Sequence, residues 1–128
     1  MDKRDQKLVL LCDSDADHSF TLEGALRNRD FEVVIITDAT ELVSTAKRLR
    51  PVAVLTNPDM AGFNENDVCK HVMNELNIPV MLLLANNSTH RAQVGDCVAD
   101  DVVTKPVKNV DNVANLLNKH MSWHKSNP

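Results

Sequence analysis

The chain has no tyrosine, one tryptophan and three phenylalanines, so aromatic residues make up 3% of its 128 positions. Phe20, Phe31, Phe63 and Trp123 are scattered, which excludes a platform of rings for stacking bases. Glycine is as scarce. Gly24, Gly62 and Gly95 cannot assemble the Gly-x-Gly-x-x-Gly turn that cradles phosphates. Cys12, Cys69 and Cys97 lie far apart, with no Cys-x-x-Cys pair and no histidine cluster beside them. They read as small reduced core residues, not as a disulfide frame or a zinc site. No apolar run approaches the roughly 18 residues of a membrane span. The longest, from Ile78 to Ala85, contains Pro79. The opening Met1-Asp2-Lys3-Arg4-Asp5 lacks the apolar centre of a signal peptide. Positive charge is also short: 14 Lys and Arg against 18 Asp and Glu leave a net charge of −4, which argues against broad nucleic-acid affinity. The remainder, 43% hydrophobic and 25% charged, is ordinary for one globular domain. These absences predict a soluble cytoplasmic protein with neither a membrane nor a nucleic acid as partner.

Five short apolar runs stand out: Lys7–Cys12, Glu32–Ile36, Val52–Thr56, Pro79–Leu84 and Asp101–Thr104. Most are rich in Val, Ile or Leu and do not alternate with polar residues, the pattern of strands buried on both faces of a parallel sheet. Each gap leaves room for a helix and two connections. Leu22, Ala25 and Leu26 share one face of a first helix. Asp38-Ala39-Thr40-Glu41 resembles a capping box, and Leu42, Val43, Ala46 and Leu49 follow at helical spacing. Val68, Val72 and Leu76, with Cys69 and Met73, form a third stripe, and Val110, Val113, Leu117 and Met121 a last one. Ser88–Val98 is the weakest segment, interrupted by Gly95. The expected fold is a doubly wound (βα)5 domain over residues 1–121: a five-stranded parallel sheet in a three-layer sandwich, with 122–128 as a polar tail. In such folds chemistry gathers at the carboxyl ends of the strands. The residues to watch there are Asp13, Ser14 and Asp15; Asn57 and Asp59; Leu84; and Lys105 and Pro106.

These motifs, in this order, resemble the receiver domain of bacterial two-component response regulators, a flavodoxin-like fold. Leu8-Val-Leu-Leu-Cys-Asp13-Ser-Asp15 resembles the first strand and acidic pocket. Pro51-Val-Ala-Val-Leu-Thr-Asn57-Pro-Asp-Met60-Ala-Gly62 resembles the third strand and its Met-Pro-Gly turn. Pro79-Val-Met-Leu-Leu-Leu84-Ala85 resembles the fourth strand, and Ala99-Asp-Asp101-Val-Val-Thr-Lys105-Pro106 the fifth. The resemblance implies a signalling module, not an enzyme, placed in a phosphorelay. A working receiver phosphorylates an Asp ending the third strand, binds Mg²⁺ through acids after the first, and uses a Lys, a Thr or Ser and a mobile aromatic to read the phosphoryl group.

At four of those positions the chain differs. Asn57 stands at the acceptor position, and a carboxamide is a poor nucleophile that forms no acyl phosphate. Ser14 replaces the second acid, Leu84 the hydroxyl donor and Val102 the switch aromatic. Asp13, Asp15, Lys105 and Pro106 remain. Two anionic ligands are thereby exchanged for neutral ones, so Mg²⁺ binding is expected to be weak or absent, and no cofactor is expected. The expectation is a pseudo-receiver that works by phosphorylation-independent protein–protein interaction. Asp13 is expected to pair with Lys105, with the Asn57 amide bridging the two. The spacing of aspartates 13, 15 and 17 resembles a Ca²⁺ loop without its turn Gly and distal Glu, and better suits a strand end and a helix start. The candidate interaction face carries Lys108, Lys119 and Trp123, suited to an acidic protein partner or a second copy of the chain. The rival readings are a phosphorylatable receiver that uses Asp59, and a small-ligand module at the strand-end cleft.

Overall fold

The computed structural model describes residues 7–85 and 99–126. The weak segment Ser88–Val98, with Gly95 and Cys97, lies outside the described residues. Five strands form one sheet: β1 (Lys7–Cys12), β2 (Phe31–Ile36), β3 (Ala53–Thr56), β4 (Val80–Ala85) and β5 (Asp101–Lys105). The order is β2-β1-β3-β4-β5 and all pairs are parallel, with Val9 opposite Val33 and Ala53, and Leu82 opposite Thr56 and Val102. Strands begin and end within a residue of their predicted bounds.

The unbroken apolar runs are explained by the layers. In β1, Val9 and Leu11 enter one core while Leu10 and Cys12 enter the other, and all four are fully buried. The first core is closed by Leu22 and Leu26 of helix α1 (Ala16–Arg27) and by Val113 and Leu117 of helix α4 (Val110–Ser126). The second is closed by Leu42 and Ala46 of α2 (Leu42–Leu49) and by Val68 and Val72 of α3, which comprises Glu65–Asp67 and its continuation Val68–Glu75. A smaller cluster joins Leu82, Leu84 and Ala99 to Phe63 and Val102. Each fully buried Leu or Val adds about 1.5–3 kcal/mol of apolar transfer, so both faces of the sheet hold it together.

Helix ends follow local chemistry. Asp15 caps α1 by accepting from the His18 amide, and Asp17 adds negative charge in the first turn. Asn64 caps α3, its Oδ1 accepting from the Asn66 and Asp67 amides. Arg50 closes α2 in the left-handed region at φ 50°, and Pro51 follows, which prevents continuation. Asn109 Oδ1 accepts from Asn112 N at the start of α4.

Three local expectations are corrected. Asp38 does not open a regular capping box; its Oδ1 accepts from both the amide and hydroxyl of Thr40, and the short side chain tightens Ala39–Glu41 into a 3-10 turn before α2 begins. The Val68–Leu76 stripe is buried as expected, but α3 is α-helical only over Glu65–Asp67 and runs on as a π-helix over Val68–Glu75. The Leu76 amide bonds to His71 O at 2.9 Å, five residues back, and Val68 and Val72 remain together in the second core. The last helix does not stop at Met121. It runs to Ser126, because Met121-Ser-Trp-His-Lys contains neither Gly nor Pro, so the predicted polar tail begins inside the helix.

Candidate functional site

The strand order reverses direction between β1 and β3, and the crevice above their carboxyl ends is where such sheets place their sites. The ladder continues one residue past each strand: Asp13 N donates to Ile36 O at 3.0 Å and Asn57 N to Cys12 O at 2.8 Å. This extension sets Asp13 and Asn57 side by side.

Asp13 is fully buried and saturated. Its Oδ1 accepts from the Asp15 amide and from Asn57 Nδ2, each at 3.1 Å, and its Oδ2 accepts from Lys105 Nζ at 2.7 Å. Burial pushes the carboxyl up. The hydrogen bonds from Lys105, Asn57 and the Asp15 amide, with the Lys105 charge, outweigh it and hold the group below the usual carboxylate range. The expected Asp13–Lys105 pair is therefore present. The expected bridge is only half so: Asn57 donates to Asp13, but its Oδ1 turns away from Lys105 and accepts from Asp59 N at 2.9 Å. The backbone turn after β3 offers the nearer donor, and Lys105 already has two carboxylates, with Asp15 Oδ2 at 3.9 Å.

The remaining candidates fall around this pair. Ser14 and Asp59 are exposed, and Asp15 serves as a helix cap. Leu84 is fully buried in β4, and Val102 of β5 packs beside it in the small cluster, so both positions are apolar packing. Lys105 ends β5, and Pro106 follows it. Cys12, beneath Asp13, has its thiol pushed up by burial to about 11, which keeps it protonated and inert. Among the described residues no group of three or more His, Cys, Asp or Glu side chains is placed to hold a metal ion. Lys108, Lys119 and Trp123 are exposed. Asp111, the acid between them, is engaged by Arg29 at 2.7 Å.

Sequence reasoning missed His18. Its ring, 13% exposed, stands beside the pair: Nε2 accepts from Val107 N at 3.1 Å, and Nδ1 lies 3.9 Å from Asp13 Oδ2. Nothing in one sequence marks it, since the position lies on α1 and its partner is a backbone amide after β5.

No family model matches the chain. Among curated proteins it is 32% identical over 109 residues to the DNA-binding response regulator MtrA of Mycobacterium tuberculosis (strain ATCC 25618 / H37Rv), across 84% of this chain and 48% of that protein. It is 30% identical over 99 residues to the sensory transduction protein RegX3 of the strain CDC 1551 / Oshkosh, across 77% of this chain and 44% of that one. The chain thus spans about half the length of the curated relatives it matches. Among solved structures it superposes on the signal receiver domain of a modulated diguanylate cyclase from Desulfovibrio desulfuricans G20 with a TM-score of 0.82 at 19% identity, covering 97% of this chain and 100% of that one. The receiver domain of the sensor histidine kinase PA1611 from Pseudomonas aeruginosa PAO1, solved with a magnesium ion in its active-site cleft, gives a TM-score of 0.78 at 18% identity over 91% and 98%. The fold is the flavodoxin-like receiver fold, and over 84% of its length the chain is similar in sequence to a DNA-binding response regulator. No helix among the described residues is long and apolar enough to cross a membrane.

Proposed function

We propose that the domain is a pseudo-receiver: a cytoplasmic signalling module that acts by protein–protein interaction without phosphorylation and without enzymatic activity. The observation that carries this reading is the Asn57 amide, hydrogen-bonded to a buried Asp13 that Lys105 already neutralises. A carboxamide there cannot become an acyl phosphate. The residues also do not fit Mg²⁺. The pocket has one buried carboxylate; an ammonium holds one of its oxygens, and two N–H groups hold the other. Mg²⁺ gives up its waters reluctantly and requires anionic oxygens, and Ser14 offers none.

On this reading the interaction surface is the exposed side of the β5–α4 connection and α4. Asp111 is occupied by Arg29, so Lys108 and Lys119 present positive charge with Trp123, itself 57% exposed, as an aromatic anchor. This suits an acidic partner or a second copy of the chain. Asp59, the alternative acceptor, lies exposed on the turn after β3, with its amide donating to Asn57 Oδ1.

Acetyl phosphate with Mg²⁺ tests the chemistry. Intact mass is expected to show no adduct of ~80 Da, the mass of a phosphoryl group; an adduct at high occupancy overturns the reading. Lys108→Glu, Lys119→Glu and Trp123→Ala test the surface by sedimentation or partner capture. Each is expected to weaken the interaction while Asn57→Ala leaves it intact.

A further inference from the structure

His18 joins the first turn of α1 to the segment that follows β5. It lies in the first turn of α1, and its Nε2 accepts the amide proton of Val107, two residues beyond Lys105. Only an unprotonated nitrogen accepts, so the ring is neutral and its proton sits on Nδ1. Nδ1 is buried, without a hydrogen-bond partner, and 3.9 Å from Asp13 Oδ2. The charged groups that face the ring are Asp13 and Asp15 from the β1–α1 connection and Lys105 from the end of β5. Burial pushes the imidazole below its ordinary value and Lys105 adds to this, against the opposing pull of Asp13 and Asp15.

We infer that His18 is a proton-operated latch on the segment after β5: neutral, it fastens Val107 to α1, and protonated, it releases it. The step is simple in its balance. One proton from solvent joins Nε2, its lone pair is consumed, and two N–H groups then face each other across 3.1 Å. The freed segment carries Lys108 and leads into α4, so the latch adjusts the interaction face, a consequence that rests on the proposed function. The latch gives a domain lacking the phosphoryl switch a separate input to that face. Its working direction is set by linkage: His18 holds the segment at neutral pH and loses it as pH falls below the ordinary histidine value of 6.5.

Amide hydrogen exchange read by NMR tests this on the ¹⁵N-labelled chain from pH 8 to pH 5, corrected for intrinsic exchange, with the His18 ring titrated in the same samples. Val107 protection is expected to drop roughly fivefold, the worth of one ordinary hydrogen bond, in step with the His18 ring. In His18→Gln the side-chain oxygen accepts without titrating, so protection is expected to stay and become flat with pH. In His18→Leu it is expected to be low throughout. Wild-type protection that stays flat through the ring's titration overturns the inference. So does a Gln variant that keeps the wild-type pH curve, which assigns the effect to Asp13 or Asp15. Phosphoryl uptake from acetyl phosphate overturns the proposed function without touching the exchange curve, so the two failures are separable.

Discussion

Replacing Lys105 by methionine removes the ammonium and keeps most of the stem. Asp13, fully buried, then keeps two N–H donors at 3.1 Å but loses the cation at 2.7 Å. Breaking a buried pair from one side costs about 3–5 kcal/mol, and the two surviving donors hold the loss to the lower end, about 3 kcal/mol. In a domain of this size that corresponds to roughly 10 °C in melting temperature. The pH dependence supplies the sharper check. In the native protein the Asp13 carboxyl is held below its ordinary value of 3.8, so its stabilisation is complete above that value and is lost as pH falls through it toward the folded value. In Lys105→Met burial dominates and pushes the carboxyl up. Protonation in mild acid then relieves the unpaired charge, and the deficit shrinks between pH 7 and about pH 4.5. Urea unfolding at both pH values measures it. A deficit under about 0.5 kcal/mol, the scale of an ordinary surface change, refutes the reasoning, and so does an equal deficit at both pH values.

Four further substitutions follow from the same structure. Asn57→Asp replaces the Nδ2 donor by an acceptor 3.1 Å from Asp13 Oδ1, so stability at neutral pH is expected to fall by about 1 kcal/mol or more and recover in acid; a more stable variant in thermal melts without metal contradicts this. Gly62 has φ +85°, and a Cβ there would lie 2.7 Å from Thr40 Cγ2, so Gly62→Ala is expected to cost about 1–3 kcal/mol by chemical unfolding, whereas Gly24→Ala, with open space around it, stabilises α1 by about 1 kcal/mol. Leu10→Ala empties a fully buried site between β1 and the α2–α3 layer and is expected to cost about 2–5 kcal/mol in urea unfolding, with the fold retained by circular dichroism.

The sheet and its pocket were legible because they depend on short-range rules. A run such as Val9-Leu10-Leu11-Cys12 has no polar residue to send to solvent, so both of its faces had to be covered, and strand ends then dictated where Asp13, Asn57 and Lys105 meet. The Asp13–Lys105 pair followed from the receiver resemblance, which put Lys105 at the strand ends, and from charge, since a carboxylate buried without a cation is too costly to persist. What stayed hidden depends on backbone choices that the side chains do not encode. Asn57 Oδ1 prefers Asp59 N to Lys105 because the turn brings that amide close. The π-helical course of Val68–Glu75 preserves an i, i+4 stripe that α-helical spacing also produces, so the pattern does not separate the two. His18 was invisible for a related reason, its partner being an amide 89 positions away.

The Asp13–Lys105 pair joins residues 92 positions apart, with β3 and β4 lying between their strands. During synthesis Asp13 and Asn57 are available once β3 has emerged, while the cation arrives only with β5, two strands later. A half-made sheet therefore has a strong reason not to close over its first strand. Asp13 must stay hydrated or take up a proton until Lys105 docks, and the late arrival of the edge strand is what seals the centre. Consolidation of the whole domain is thus coupled to a contact that spans 92 positions, which slows folding and discourages a stable partial product.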